Sequence, residues 1–423
     1  MAALEPAEVA DESFWLARRR DVMLDPAVVQ LNAGTCSPTP QALFDRVTDL
    51  RRQQAESPTA FQWRQAWPLL HASRAALAEY VGACTQDLAL VENVTVALNI
   101  AIRSIPLSPG DEVVTTDHEY GSMLKLWRRV ADAAGATVKV AELPRQVEEP
   151  EQIVDAVARA LNPKARVLFF SHISSPSGLV LPAEALCRLA RQRGLVSVID
   201  GAHAPGQIPL NLDALDADYY GANCHKWMMA PASVGFLHVG RHWKRRTQSV
   251  IGSWGHGYPA DQTDTDVFPG TTAWHYDLEF HGTSDRTPQM VLPEAVSFRR
   301  SLGGDAAVRT RVRGLTGYLR KRLSELDLSA WLPHDDRLVG TLTAFDLPAV
   351  YQTGAAGFIA SPGDSPAQRL QRALWERHRI EAPATFCAGR AFLRVSTGWF
   401  NTTDDIDRLC EALRTELPRA GGG

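Results

Sequence analysis

The stretch Leu195 to Trp227, LVSVIDGAHAPGQIPLNLDALDADYYGANCHKW, decides how the chain is read. Its opening apolar run, Leu195 to Ile199, ends on Asp200. A second run, Tyr219 to Asn223, leads to His225 and Lys226. Short apolar runs bounded by glycine and polar turns read as buried strands. If the two runs are neighbours in one sheet, Asp200 and Lys226 sit near strand ends on the same side of one cavity. An acid and an amine held that way suit pyridoxal phosphate: the amine forms a Schiff base with the aldehyde, and the carboxylate keeps the pyridine nitrogen protonated. A lone lysine at a strand end ordinarily caps a surface loop, but Asp200, His203 and His225 in the same window reverse that reading. The other lysines (Lys125, Lys139, Lys164, Lys244 and Lys321) lie in helix-like, strand or turn contexts. Only Lys226 follows a strand-like run and leads into apolar Trp227-Met228-Met229-Ala230.

Working outward, the β-α-β order repeats. Asp111 to His118, ATVKVAELP and Arg166 to His172 read as strands, and PEQIVDAVARALNP and PAEALCRLARQRG as helices. Such alternation predicts a mostly parallel sheet with right-handed crossovers. Ligands then sit beyond the carboxyl ends of the strands. Asp200, His172 and the turn Val91 to Thr95 all fall at such ends.

The D-G-A-H segment at Asp200–His203 and the N-C-H-K segment at Asn223–Lys226 resemble the Asp and Lys motifs of class V aminotransferases. These are fold-type I pyridoxal-phosphate enzymes, and the similarity runs from about residue 30 to 412, most strongly to the isopenicillin N epimerase-like branch. The resemblance implies a large α/β domain with a mostly parallel seven-stranded-type sheet and helices on both faces, over residues 41–298. A small α+β domain follows over 299–423, with segment 1–40 packing against it. It further implies a homodimer with a shared site.

The resemblance also assigns roles. Val91 to Asn99 matches the phosphate-binding turn, where a helix N-terminus offers N–H groups to a dianion; Thr95 and the Val96 amide are the expected donors. Asn223, His225 and Lys226 belong to the cofactor set, and His203 to the phenolic oxygen. Ser175 stands where cysteine desulfurases carry Asn. Tyr120, in E-Y-G, is expected to stack on the pyridine in preference to His118. Thr283, in a G-T segment, comes from the partner subunit. Arg394, in R-V-S, takes the substrate carboxylate, with Thr35 at the mouth of the site. Apart from the resemblance, the Ile251–Gly257 segment is glycine-rich enough to hug a ligand, and Trp254 within it is expected to touch substrate.

Composition narrows the alternatives. The formal net charge of −4 gives no basic footprint for nucleic acid. Six scattered cysteines form no C-x-x-C pairs, so neither a metal cage nor a disulfide framework is expected. The opening MAALEPAEVADESFW lacks the apolar core of a leader, and no apolar run is long enough to span a bilayer. The expectation is a cytoplasmic enzyme without a metal. A dinucleotide-binding oxidoreductase would need a glycine-rich turn after its first strand, and Val91 to Asn99 contains no glycine.

Fold alone does not choose the reaction. An amino acid bound as an external aldimine is set up for Cα deprotonation, with Lys226 as base. Desulfuration needs a cysteine on a mobile loop well before Arg394, and Cys387 lies too near. β-Elimination from an S-substituted cysteine, epimerisation, transamination and decarboxylation-coupled deamination remain. Phe61, Trp63, Trp67 and Leu70 recur at roughly helical spacing, a stripe that reads as core or dimer contact before pocket. Taken together, Trp63, Trp67, Trp254 and Trp399 also suggest a roomy pocket for a bulky conjugate, which favours C–S β-elimination, with epimerisation the alternative. Epimerisation needs a second acid/base opposite Lys226, and Tyr120 or a histidine supplies it.

Overall fold

Seven strands form the central sheet of the computed structural model, which describes residues 11–257, 271–332, 335, 337–352 and 365–420. Residues 1–10, on which the reading of the N-terminus partly rests, lie outside them. In chain order the strands are β1 (Val29–Gln30), β2 (Leu88–Val91), β3 (Glu112–Thr116), β4 (Thr137–Ala141), β5 (Ala165–Ser171), β6 (Val196–Asp200), β7 (Tyr219–Asn223), β8 (Gly235–Val239), β9 (Leu342–Asp346), β10 (Ile380–Glu381), β11 (Ala384–Cys387) and β12 (Arg390–Ser396). The central sheet runs β2-β8-β7-β6-β5-β3-β4. β7, β6, β5, β3 and β4 pair in parallel, and β8 is antiparallel to both neighbours.

Apolar alternation fixes the sheet between two cores. Leu88, Leu90, Leu168, Phe170, Ile199 and Tyr220 enter one cluster. Their neighbours Ala89, Val91, Val167, Phe169, Val198 and Tyr219 enter the other. Successive side chains of a strand point to opposite faces. A sheet buried on both faces therefore reads as continuous hydrophobic runs. At about 25 cal/mol per Å² of apolar surface, each such large side chain contributes roughly 1.5–3 kcal/mol.

Two smaller sheets lie beyond residue 300 for most of their strands: antiparallel β11-β12-β9, and the pair β1-β10. Val29 and Leu31 pack with Leu315, Leu319, Leu370, Leu393 and Leu409, so the N-terminal strand shares its core with the C-terminal region.

The helix Gln41–Glu56 stops at Ser57, whose backbone is not helical, and Pro58 opens a separate short turn, Pro58–Ala60, where a missing N–H costs nothing. The π-turn Phe61–Gln65 then leads into the helix Ala66–Val81. Phe61 and Trp67 are buried, while Trp63 turns outward. Among the described residues, no helix is long and apolar enough to cross a membrane, and no group of three or more His, Cys, Asp or Glu side chains is placed to hold a metal ion.

Candidate active site

Parallel pairing brings three strand ends together. Ser171 of β5 lies opposite Asp200 of β6, and Asp200 opposite Gly221 of β7. Beyond these ends is a cavity of about 300 Å³. Asp200, His203, Asn223, His225 and Lys226 line it, as do Thr35, Thr95, Tyr120, Ser175 and Arg394. The chain must turn sharply after Asp200, and a Cβ on Gly201 would stand 2.1 Å from the Tyr220 ring. Only glycine allows that approach.

Asp200 is 3% exposed, and the one hydrogen bond to its carboxyl group among the described residues comes from the Ala202 N–H at 2.9 Å. Burial raises its pKa above the ordinary carboxylate range. Burial, with Arg394 nearby, pulls the Lys226 amine down to about 8. Lys226 Nζ lies 3.1 Å from His203 Nε2, and Trp227 Nε1–H donates to His203 Nδ1 at 3.4 Å. Burial drives His203 well below the usual imidazole range, so the ring is neutral.

Past β2 the chain enters the helix Val94–Ser104, whose cap is Asn93. The cap corrects one expectation. The Val96 N–H is taken by Asn93 Oδ1 at 3.1 Å, and Val96 does not line the cavity. The Val94 N–H is taken by Asn223 Oδ1 at 2.9 Å, which ties the helix to the end of β7. Of this first turn Val94 and Thr95 line the cavity, and Thr95 brings a side-chain hydroxyl to it. Asn caps rank with the best, so the N-V-T order carried this signal.

Arg394 reaches the opposite wall from β12. Its Nη1 donates to the Ser175 carbonyl at 2.9 Å and the Ser175 hydroxyl at 3.2 Å. Its Nη2 donates to Asn32 Oδ1 and Thr35 Oγ1, each at 2.9 Å. All these partners are neutral, and burial lowers the guanidinium to about 10. Sequence reasoning misses Asn32, although it lies in the same L-N-A-G-T segment as Thr35. Ser175 thus holds the arginine instead of standing free for the phenolic oxygen.

Tyr120 is 46% exposed and precedes the helix Gly121–Ala134, whereas His118 is buried, stacks on Trp331 and bonds Ser177. The cavity therefore meets Tyr120 and not His118. Between them Glu119, fully buried, accepts the Thr116 and Ser171 hydroxyls, each at 2.6 Å. Burial raises it to about 8. Nothing in the sequence pattern distinguishes Glu119 from a strand-end acid.

Thr283 and Trp254 also lie away from this cavity. Thr283 is exposed. Trp254 is 77% exposed, because Gly255 presses its loop onto the helix Ala273–Glu279. The aromatic-pocket argument falls with it: Trp67 packs on Tyr276 and Phe280, Trp399 on Trp15, Phe298 and Phe400, and Trp63 against Phe280. None of the four lines the cavity.

The residues present fit pyridoxal phosphate. A buried carboxyl group and an amine lowered to about 8 share one cavity, and a helix N-terminus opens into it. Two buried nitrogens in its wall, His225 Nδ1 and Arg394 Nε, have no partner among the described residues. Unpaired buried polar atoms are uncommon in folded proteins, and a ligand group in this cavity would give these two a partner.

The family model for Aminotransferase class-V matches residues 29–409. The chain is 40% identical to isopenicillin N epimerase from Amycolatopsis lactamdurans, over 95% of this chain and 98% of that one. It is 27% identical to putative L-cysteine desulfhydrase 1 from Oryza sativa subsp. japonica, over 92% and 83%. A solved structure of C-DES carrying a lysine-to-alanine mutation, with glycine covalently linked to the PLP cofactor, superposes with a TM-score of 0.74 at 20% identity over 93% and 96%. The chain belongs to the class V aminotransferase family of fold-type I, pyridoxal-phosphate-dependent enzymes, and is isopenicillin N epimerase-like within it.

Proposed function

We propose that this enzyme is an amino-acid epimerase that takes the Cα proton from one face and returns one to the other. One observation carries the reading. In the sheet order, Lys226 enters the cavity from the β7 side and Tyr120 from the β3 side, with Asp200 on β6 between them. Inversion at a carbon needs two proton carriers on opposite flanks. When bound, pyridoxal phosphate supplies an electron sink for the charge left at Cα. An amine near 8 exchanges protons readily around neutral pH. Lys226 is therefore the base on its flank, and the Tyr120 hydroxyl serves the other. Arg394 fixes the α-carboxylate by a paired guanidinium contact. Asp200 would hold the pyridine nitrogen of the cofactor, and Thr95 with His225 its phosphate.

The 40% identical relative supports this choice and points to isopenicillin N as substrate, in antibiotic biosynthesis. The reading includes a cytoplasmic homodimer in which Thr283 and the Trp254 loop serve the second copy's cavity. β-Elimination from an S-substituted cysteine is the second reading. It needs Lys226 alone, and the desulfhydrase-named relative favours it.

The test is incubation with isopenicillin N and, separately, with S-alkyl cysteines in deuterated water. Deuterium at Cα with inverted configuration is expected. In Tyr120→Phe, inversion should fall by about 10²-fold or more, the scale of one general acid, while exchange with retention persists. Release of pyruvate and thiol without inversion would replace epimerisation by elimination.

A further inference from the structure

Trp227 follows the lysine directly and takes no part in the chemistry proposed above. Its indole is 7% exposed, and its N–H points at His203. An indole N–H can only donate. His203 Nδ1 must therefore be the acceptor, and a neutral imidazole then carries its proton on Nε2. That Nε2 lies 3.1 Å from Lys226 Nζ. An ammonium there would set donor against donor; a free amine offers its lone pair. The relay has one consistent direction: Trp227 donates to His203, and His203 donates to Lys226.

The frame around the relay is rigid. Arg299, 2% exposed, donates to the Trp227 carbonyl and to the Gly206 carbonyl, each at 2.8 Å. It thus staples the lysine segment to the loop that follows Asp200. The Gln207 side chain donates to the His203 carbonyl at 2.9 Å. A Cβ on Gly206 would meet the Trp227 carbonyl carbon at 2.8 Å, so the two loops touch backbone to backbone.

We propose that Trp227 is a positioning residue: its N–H fixes His203 as the Nε2–H tautomer, which holds Lys226 as a hydrogen-bond-accepting free amine. The same tautomer presents a donor to any acceptor oxygen that the cofactor brings to His203. Burial, which keeps the imidazole neutral, makes the tautomer the only remaining variable. The second ring nitrogen's partner sets which nitrogen carries the proton.

The experiment compares wild type, Trp227→Phe, His203→Gln and the double variant. ¹⁵N-histidine NMR of the cofactor-free and loaded protein reads the tautomer. Stopped-flow absorbance reads the rate at which the cofactor-free protein captures pyridoxal phosphate. Wild type should show one protonated nitrogen, Nε2, and Trp227→Phe a mixture. Capture by Trp227→Phe should slow about three- to tenfold, the scale of one net hydrogen bond. In the His203→Gln background the tryptophan change should add nothing, because no tautomer remains to be fixed. An Nδ1–H tautomer in wild type would overturn the proposal. So would unchanged tautomer populations in Trp227→Phe, or an equal slowing in both backgrounds, which would mark plain packing. These readouts do not depend on which amino acid is the substrate, so failure of the epimerase reading leaves them intact.

Discussion

Arg74 and Arg394 are both buried arginines, and their surroundings differ. Arg74 meets Glu279 through two bonds, at 3.1 and 3.0 Å. Glu279 also accepts from Arg286 at 3.3 Å and from the Leu90 N–H at 2.9 Å. Among the described residues, Arg394 meets only amide, hydroxyl and carbonyl oxygens, and its Nε has no partner. A buried ion is tolerated when it is paired and strongly disfavoured when it is not. In the first cluster a carboxylate of the chain itself meets the guanidinium groups, although Arg286 Nη1 has no partner among the described residues, and the cluster holds the end of β2 to the helix Ala273–Glu279. The second is a cation kept ready for an anion from outside. Equal burial therefore separates structure from function by what the charge faces.

Glu279→Gln should break the comparison hardest. It leaves two buried guanidinium groups without a carboxylate, and unfolding should cost about 3–5 kcal/mol less, read by denaturant titration. Burial alone would raise the Glu279 carboxyl, but Arg74 and Arg286 hold it down to about 2, from an ordinary 4.5. The folded value is depressed, so its contribution is complete above pH 4.5 and is lost as pH falls towards 2. The acid slope of wild-type stability in that window should flatten in Glu279→Gln; an unchanged slope would remove the ion cluster from the account.

Arg394→Met comes next and should act on the other axis. Stability without substrate should stay level or rise, since no carboxylate is orphaned. KM for the amino-acid substrate should rise about 100-fold, as for loss of one partner of a desolvated ion pair. A large stability loss with unchanged KM would make Arg394 another Arg74. The smallest effect belongs to Asn32→Ala, which removes one neutral acceptor and should raise KM about fivefold. Steady-state kinetics beside a thermal melt separates the two variants.

Legibility follows chain proximity. Asp200, His203, Asn223, His225 and Lys226 fall in one window, and alternation places their strands, so the acid and the amine can be read together. Arg394 can be named from its own motif, but its Asn32 contact spans 362 positions and leaves no local trace. Val96 is misread because a first-turn amide looks free until the cap is known, and Asn93 takes it. Trp254 and Trp399 mislead because an indole fits a surface or a core as well as a pocket, whereas Trp67 is buried as the helical stripe indicates. Trp227 stands beside Lys226 in the sequence, yet its effect on His203 depends on which ring nitrogen it meets.

The place of β8 has a consequence for synthesis. Among the described residues β2 pairs only with β8, whose backbone crowds Asn93: a Cβ on Gly235 would stand 2.7 Å from the Asn93 Cα. Residues 88–95 leave the ribosome early, but their sheet partner emerges well over a hundred residues later. At about 5–20 residues per second, that delay lasts many seconds. During this time the apolar edge Leu88–Val91 has no strand to pair with, and the helix cap lacks the Asn223 contact. The turn that would grip phosphate is thus translated well before the strand and the Asn223 contact that complete it. A pause or slow codons before residue 235 should lower the yield of cofactor-competent protein.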